Sequence, residues 1–322
     1  CRNRCCPMCQ AVPKEMWMDA RREDVLDAPY FHLVFTVPDI LNPIIYNNQK
    51  LLYDILYHAA SATISELTAD PKHLGADVGY ICILHTWGSE MNFHPHIHTI
   101  LLGGGLTSKN EWKDNGTEFF LPIRAVSKSF RGKYIDELKH LWNTGQLEFH
   151  GTAEKYRNYY VFKDLLDSCY DTEWIPYCKK TFNGAGSVID YLGKYTHRIA
   201  ISNHRIICMD DENVAFSVKD YRNKGQWKEL TLSGVEFIRR FLMHVPPKRF
   251  VRIRHYGLLC SRSKHKKLTL CRNLLGCQKY LSKLRGKEIP EILKQLYEIN
   301  ICVCKSCGGH LGKPQLRIPQ RG

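Results

Sequence analysis

The sequence has no apolar stretch long enough to span a membrane, no recognisable signal peptide, no internal repeat and no low-complexity tract. Neither a membrane-spanning protein nor a solenoid is therefore expected. A phosphate-cradling glycine loop is also lacking, because Gly103, Gly104 and Gly105 have neither the lysine nor the spacing of one. Hydrophobic residues make up 44% of the 322 residues, which is ordinary for a globular protein with one sizeable core or two smaller ones.

Acidic residues are missing from one long segment. Between Phe237 and Lys287 there are fifteen Lys and Arg residues but no Asp or Glu, in a chain whose formal net charge is +14. The rest of the chain is therefore close to neutral. Because a solvated charged face normally mixes both signs, this segment predicts contact with a polyanion.

Fourteen cysteines would suit a disulfide framework in a small secreted chain, but the length of this chain favours a reducing cytoplasm. Seven of the cysteines are scattered through apolar or mixed surroundings and are interpreted as packing residues. They are Cys82, Cys169, Cys178, Cys208, Cys260, Cys271 and Cys277. The others cluster near the two ends of the sequence.

The two end clusters predict structural zinc. Cys6 and Cys9 have the two-residue gap of a zinc knuckle, and Cys1 could supply a third thiolate. Cys304 and Cys307 form a second knuckle with the same gap, and either His310 or Cys302 could supply a further ligand. The sequence starts inside the first cluster without an initiator Met, so we expect a fragment of a longer protein in which some zinc ligands are missing.

Two neighbouring strands carry a cluster of histidines. Strands are predicted at 79–87 and 95–102, joined as an antiparallel hairpin and followed by a turn at 103–105. Side chains alternate along a strand, so His96 and His98 share one face. His85, on the preceding strand, could stand across from them as a third ligand, with His94 as the alternative. Three neutral imidazoles with open positions suit a divalent ion that polarises a phosphoryl oxygen.

Periodicity and turn signals predict further elements along the chain. These are a strand at 30–37 ended by a proline, a helix over 44–67, a helix around 134–142, strands at 201–209 and 213–221, and a helix over 235–244 that follows a capping box of Ser233 and Glu236.

A helix predicted over 185–198 carries two tyrosines. Tyr191 and Tyr195 are four residues apart, so both hydroxyls would project from one helix face, with Cβ atoms roughly 5–6 Å apart. Such a pair is either amphipathic packing or a pair of nucleophiles. Lys194, His197 and Arg198 favour the second interpretation, because they would bring positive charge to a phosphate held near the tyrosines.

The strand-like stretch FVRIRHY, at 250–256, lies within the basic segment. Alternation would place Arg252 and Arg254 on one face, where both could contact phosphates.

Several long motifs, in this order, resemble the two-tyrosine rolling-circle transposases of insertion sequences, within the HUH endonuclease superfamily. The motifs are CRNRCCPMCQ at 1–10, HLVFTVP at 32–38, LHTWGSEMNFHPHIHTILLGGGL at 84–106, YLGKYTHRIAIS at 191–202 and EFIRRFLMHVPPKRFVRIRHYGLL at 236–259. Two departures are visible. The family commonly has His where Cys5 stands, and HVPPKRF replaces the usual HVLPKGF.

The resemblance implies the chemistry. Tyr191 or Tyr195 would attack a scissile phosphodiester, leaving a 5′ phosphotyrosine and a free 3′ hydroxyl, and the second tyrosine would serve a second cleavage or the transfer. The metal would be Mg²⁺ or Mn²⁺, and the substrate single-stranded DNA at the element ends and the target. Related conjugative relaxases place a third histidine eleven positions before the first histidine of the pair, which matches His85 and His96.

The sequence therefore predicts an α+β fold, with an antiparallel sheet that carries the histidines and is flanked by helices. Three segments are expected: an incomplete zinc-binding segment at 1–27, the endonuclease core at 28–205, and a basic DNA-binding region at 206–322. The expected location is the bacterial cytoplasm, at the nucleoid. Two alternatives are a catalytically inactive or truncated zinc-containing DNA-binding protein and an HUH replication initiator or relaxase.

Overall fold

The computed structural model describes residues 10–114, 116, 121–174, 176–181, 188–189, 193, 199–220 and 223–312. The helices are α1 (Ala11–Arg22), α2 (Asn42–Asn47), α3 (Gln49–Ala69), α4 (Ile123–Asn143), α5 (Tyr159–Asp171), α6 (Gly234–Met243), α7 (Lys264–Leu275) and α8 (Ile289–Tyr297). The strands are β1 (Tyr30–Thr36), β2 (Asp77–Trp87), β3 (Phe93–Leu106), β4 (Trp112–Asp114), β5 (Tyr177–Thr181), β6 (Ile206–Met209), β7 (Asn213–Asp220), β8 (Gln226–Ser233) and β9 (Ile253–Gly257). None of these helices is long and apolar enough to cross a membrane.

A six-stranded antiparallel sheet forms the centre of the fold. Its strand order is β5-β1-β3-β2-β9, and β4 pairs with the end of β3. The three strands predicted between residues 30 and 102 are confirmed, although β2 and β3 extend further than the sequence suggested. The two strands that carry the predicted histidine ligands are neighbours in the interior of the sheet, where both of their edges are hydrogen-bonded.

The prediction of a turn at 103–105 is wrong, because these three glycines continue β3 and pair with β4. Each permits a close approach that a side chain would block. A Cβ atom on Gly103 would lie 2.7 Å from the ring of Phe31, and one on Gly104 would meet the ring of Trp112. The glycines therefore serve tertiary packing and do not end the strand.

The two faces of the central sheet are covered differently. Helices α3, α4 and α5 pack on one face, where alternate β2 residues such as Tyr80 and Leu84 join the largest apolar core. On the other face, Ile81 and Ile83 of β2 pack with residues of α1 and α7 in a smaller core. His85 continues this second alternation, so the histidines lie on the less covered face.

Strands β6, β7 and β8 form a separate three-stranded antiparallel sheet, followed directly by α6. The strand predicted from residue 201 begins only at Ile206, because Asn203–Arg205 form a 3₁₀ turn. The Ser233 hydroxyl accepts the Glu236 N–H at 3.3 Å, as predicted for the helix start. The carboxylate of Glu236, however, binds Arg239 and Arg240. An apolar cluster that includes Phe216, Val218 and Met91 joins this small sheet to the β2–β3 hairpin.

Two predicted helices differ in length from the observed ones. The helix predicted over 44–67 is two helices, α2 and α3, separated at Asn48, whose side-chain amide donates to the carbonyl oxygens of Ile44 and Glu148. The helix predicted around 134–142 is the second half of α4. The predicted α+β class, with an antiparallel sheet flanked by helices, is confirmed.

Candidate metal centre

Three histidines converge on the less covered face of the central sheet. His85 stands directly across from His96 in the β2–β3 register, and His98 lies two residues further along β3. The ligand nitrogens of all three residues lie within 4.8 Å of one another. Among the described residues they form the one group of three or more side chains with metal-ligand geometry. The hairpin spacing had predicted this convergence.

Hydrogen bonding leaves the inward nitrogens of the site available. The Nδ1–H of His96 donates to the carbonyl oxygen of His94 at 2.7 Å, so Nε2 of His96 keeps its lone pair. That Nε2 lies 3.0 Å from Nε2 of His98. His94, the alternative ligand, is outside the cluster, and its Nδ1 lies 3.2 Å from a carboxylate oxygen of Asp39.

The surrounding protein favours uncharged rings. Burial lowers the pKa of His96 to about 4 and holds the pKa of His98 well below its ordinary value. Histidines must be neutral to bind a metal, so at neutral pH both rings are in the ligand form. Three neutral imidazoles on one rigid hairpin fit a divalent transition-metal or magnesium-like ion with positions left for oxygen ligands.

A fourth histidine supports this cluster and was not singled out from the sequence. Nε2 of His32 on β1 lies 2.8 Å from Nδ1 of His98, and the two rings are stacked with centroids 5.1 Å apart. His32 therefore lies behind His98 and fixes its orientation. Alternation gave a signal, because Phe31 and Leu33 face the large core and His32 must face the other way.

A cleft of about 430 Å³ opens over the histidines. Residues of the β2–β3 hairpin, the strand β1 and the small sheet line it: Val34, Thr36, His85, Trp87, Gly88, Ser89, His94, His96, His98, Ala200, His204, Arg205, Lys219 and Trp227. Trp87 stacks on His85 with ring centroids 4.7 Å apart, and so helps to hold this ligand in place. One wall of the cleft therefore carries the candidate metal ligands, and the small sheet contributes to another.

The two arginines predicted to share a face have different surroundings. The guanidinium of Arg254 lies 4.0 Å from the ring centroid of Tyr57 and forms an ion pair with Asp54, both on α3. It therefore points toward the helix layer. Arg252 lies outside β9, with its guanidinium 5.9 Å from the ring centroid of Trp87, which lines the cleft.

The C-terminal cysteines form a tight hairpin. The N–H of Cys304 donates to the carbonyl of Gly309 at 2.9 Å, the N–H of Gly308 donates to the carbonyl of Cys304 at 2.9 Å, and Val303 pairs with His310. Hydrogen bonds from the backbone of Cys307, and then of Ser306, lower the pKa of the Cys304 thiol. Among the described residues these cysteines do not complete a three-ligand group. Cys1, Cys6 and Cys9 lie outside the described part of the chain.

The predicted tyrosine helix lies mostly outside the described residues, including Tyr191, Tyr195, Lys194 and Arg198. Its described residues contact the histidine face. Val188 and Ile189 are buried in the same core as Ile81 and Ile83. Gly193 lies so close to α1 that a Cβ atom there would overlap Met18.

Two family models match the chain. A model described as "Putative transposase" matches residues 79–267, and one described as "Transposase zinc-binding domain" matches residues 1–37. The first covers more than half of the chain and spans the histidine hairpin. The chain belongs to this transposase family. Its N-terminal segment correspondingly belongs to a transposase zinc-binding domain.

Two relatives agree with this assignment. The transposase is 41% identical over 277 residues to the protein named "Putative transposase y4qJ" of Sinorhizobium fredii, which covers 86% of this chain and 70% of the relative. It is 31% identical over 265 residues to the transposase for insertion sequence element IS801 of Pseudomonas savastanoi pv. phaseolicola, covering 81% of this chain and 62% of the relative. The predicted resemblance to insertion-sequence transposases is thereby confirmed.

A solved structure also overlaps part of the transposase. It is the conjugative relaxase TrwC in complex with oriT DNA, in a metal-bound state, with a TM-score of 0.29 and 15% identity over 35% of this chain and 44% of that chain. An overlap of this size carries no conclusion about this chain.

Proposed function

We propose that this transposase cuts and transfers single DNA strands by a metal-assisted reaction in which a tyrosine becomes covalently linked to the DNA. The main support is the convergence of His85, His96 and His98 at the floor of a cleft, in a chain of a transposase family. The histidines would hold Mg²⁺ or Mn²⁺. Such an ion would polarise a non-bridging oxygen of the scissile phosphate.

The nucleophile we propose is the phenolic oxygen of Tyr191 or Tyr195. An oxygen–phosphorus bond forms to the tyrosine while the bond from phosphorus to the 3′ oxygen breaks, and protonation of the leaving 3′ oxygen balances the loss of the phenolic proton. The phosphotyrosine conserves the free energy of the broken bond, so joining to a new 3′ hydroxyl needs no nucleotide cofactor. Burial of Val188 and Ile189 on the histidine face supports a tyrosine segment near the cleft.

The chain's other predicted segments have supporting roles in this proposal. Zn²⁺ bound by Cys1, Cys6 and Cys9, and by Cys304 and Cys307, would stabilise the two ends, while Lys194, Arg198 and Arg252 would contact phosphates. The proposed boundaries at 27 and 205 separate functions, because β9 from the C-terminal region pairs with β2 in the central sheet. The proposed site of action is the chromosome in the bacterial cytoplasm.

The decisive experiment removes both nucleophilic oxygens. Tyr191→Phe combined with Tyr195→Phe keeps the rings and the histidines, so we expect DNA binding to survive while covalent adduct disappears. Wild type and variant would be incubated with single-stranded element ends and Mn²⁺ or Mg²⁺, and the protein-linked DNA would be measured on denaturing gels. His96→Ala combined with His98→Ala is the second arm, where adduct should fall by the several kcal/mol that metal polarisation contributes.

Two results would contradict the proposal. One is a protein-linked 5′ end formed by the double tyrosine variant. The other is cleavage by that variant to ordinary hydroxyl and phosphate ends, which would identify water as the nucleophile. Absence of any adduct with wild-type protein on every element end would favour a binding protein without catalysis.

A further inference from the structure

The small sheet presents an exposed tryptophan to the cleft. Trp227 on β8 lines the cleft together with the histidine cluster, and 63% of its surface is open to solvent. Burying an indole is favourable, and an indole that remains open in a concave site is available to a flat ligand. The cleft's other tryptophan, Trp87, is already stacked on His85.

Cationic side chains accompany this indole. Lys219 on β7 stands directly across from Trp227 in the β7–β8 register, so the two side chains project from the same face. Arg205 lines the same cleft, and its guanidinium donates to the backbone carbonyls of Ser217 at 2.8 Å and Ser89 at 2.6 Å. These bonds hold a positive charge in a fixed position between the small sheet and the β2–β3 hairpin.

The acidic groups nearby do not cancel this arrangement. Glu90 and Asp220 are both paired with Lys228, which projects from the opposite face of the small sheet. Glu229 lies on the same face as Trp227, but it is exposed and is not among the residues that line the cleft. The wall therefore combines one open aromatic surface with two cations.

We infer that Trp227 stacks on an unpaired nucleobase of the DNA strand whose phosphate lies at the histidines, with Lys219 and Arg205 beside the adjoining phosphates. Every base has a π-face, so such a platform tolerates many sequences while requiring that the base be free of its partner strand. The small sheet is then the part of this protein that selects single-stranded DNA over duplex. This inference rests on the proposed nuclease function and names its substrate.

The test measures binding of a fluorescently labelled oligothymidylate by anisotropy, without added Mg²⁺ or Mn²⁺. Trp227→Ala should weaken binding roughly 5-fold to 150-fold, the range that corresponds to about 1–3 kcal/mol per stacked base. Trp227→Phe should recover most of the affinity, because a smaller ring still stacks. Tyr160→Ala is the matched control, since Tyr160 is 73% exposed on α5 and is not among the cleft-lining residues.

A base-deletion series makes the result specific. Oligonucleotides with one abasic position should show a loss of affinity for wild-type protein at one position, and Trp227→Ala should be insensitive to the abasic site at that position. Binding of a blunt duplex should be the same for wild type and Trp227→Ala. An unchanged single-strand affinity in Trp227→Ala, or an equal loss on duplex, overturns the inference. Thermal unfolding of both Trp227 variants checks that the fold is intact.

Parallel adduct assays separate this inference from the nuclease proposal. Wild-type adduct together with unchanged binding by Trp227→Ala removes the stacking role and leaves the nuclease. Loss of single-strand binding in Trp227→Ala, without adduct from the wild type, keeps the stacking role and removes the nuclease.

Discussion

The imidazole of His98 uses both of its nitrogens. When Nε2 faces a metal ion, the proton must be on Nδ1, which then donates to Nε2 of His32 at 2.8 Å. His32 thereby selects the tautomer of His98 and increases the basicity of its ligand nitrogen. The carbonyl oxygen of His94 does the same for His96. Two of the three candidate ligands thus have a hydrogen-bond acceptor behind them.

Replacing His32 should weaken metal binding without removing a ligand. We expect His32→Ala to lower the affinity for Mn²⁺ about 10-fold to 100-fold, because His98 loses the acceptor that fixes its tautomer. Isothermal titration calorimetry of the purified protein with MnCl₂ measures this directly. His265→Ala, an exposed histidine on α7, is the control and should bind as the wild type does. Equal affinities for His32→Ala and wild type would assign His32 to packing alone.

At the scale of elements, His244 joins the end of α6 to the hairpin that carries the metal ligands. Its Nε2–H donates to the carbonyl of Met91 at 3.0 Å, so its Nδ1 accepts from the hydroxyl of Thr86 at 3.1 Å. The ring is 2% exposed, and it contacts Trp87, the residue stacked on His85. Helix α6 and the small sheet before it are thereby fixed relative to the histidines.

Removal of His244 should destabilise the protein in a pH-dependent way. His244→Ala leaves the Met91 carbonyl without its donor and opens a cavity, so the free energy of unfolding at neutral pH should fall by about 2–4 kcal/mol. Burial lowers the pKa of His244 to about 4. The unfolded chain, with a histidine pKa of about 6.5, binds more protons, so the stability due to neutral His244 is present above about pH 6.5 and is lost as the pH falls toward 4.

Urea unfolding of wild type and His244→Ala at neutral pH and at about pH 5 tests this sign, since the difference between the two proteins should shrink at the lower pH. His265→Ala serves again as the exposed control. A difference that stays constant or grows on acidification would show that His244 is not held neutral.

At the scale of the whole molecule, the basic segment is used partly to hold the fold together. Of its fifteen cations, six form ion pairs with carboxylates, and four of these partners lie far away in sequence. The long-range pairs are Arg254 with Asp54, Lys264 with Asp24, Lys267 with Asp77 and Arg285 with Glu23. Not all of the segment's charge is therefore directed at a polyanion.

Arg252 and Arg254 should accordingly respond differently to mutation. In Arg252→Ala, the slope of log affinity for single-stranded DNA against log salt should decrease by about 0.7, the value for one lost phosphate contact. In Arg254→Ala the slope should change less, because Asp54 already shares this charge, while the urea midpoint should fall. Anisotropy titrations at several salt concentrations measure both slopes. A full loss of slope in Arg254→Ala alone would place the phosphate contact at Arg254.

The histidine site followed from the sequence because strand alternation and a short hairpin are local. His96 and His98 are two residues apart, and one turn brings His85 opposite them. What could not be predicted depends on distant contacts. His32 meets His98 across 66 residues, Gly103 stays in a strand because Phe31 crowds it, and Arg254 faces α3 because Asp54 and Tyr57 are there. Pairings of this kind are set by tertiary packing, which a pattern in one segment does not contain.

The locality of the hairpin has a consequence for how the protein folds. All three candidate ligands lie within fourteen residues on adjacent strands, and closing such a hairpin takes microseconds, whereas pairing β9 with β2 must wait for a loop of more than 150 residues to close. The metal pocket can therefore assemble early, before the C-terminal half of the chain has docked. An intermediate of this kind would hold an ion yet lack the wall that contains Trp227, so the order of folding itself would keep the chain from engaging DNA until it is complete.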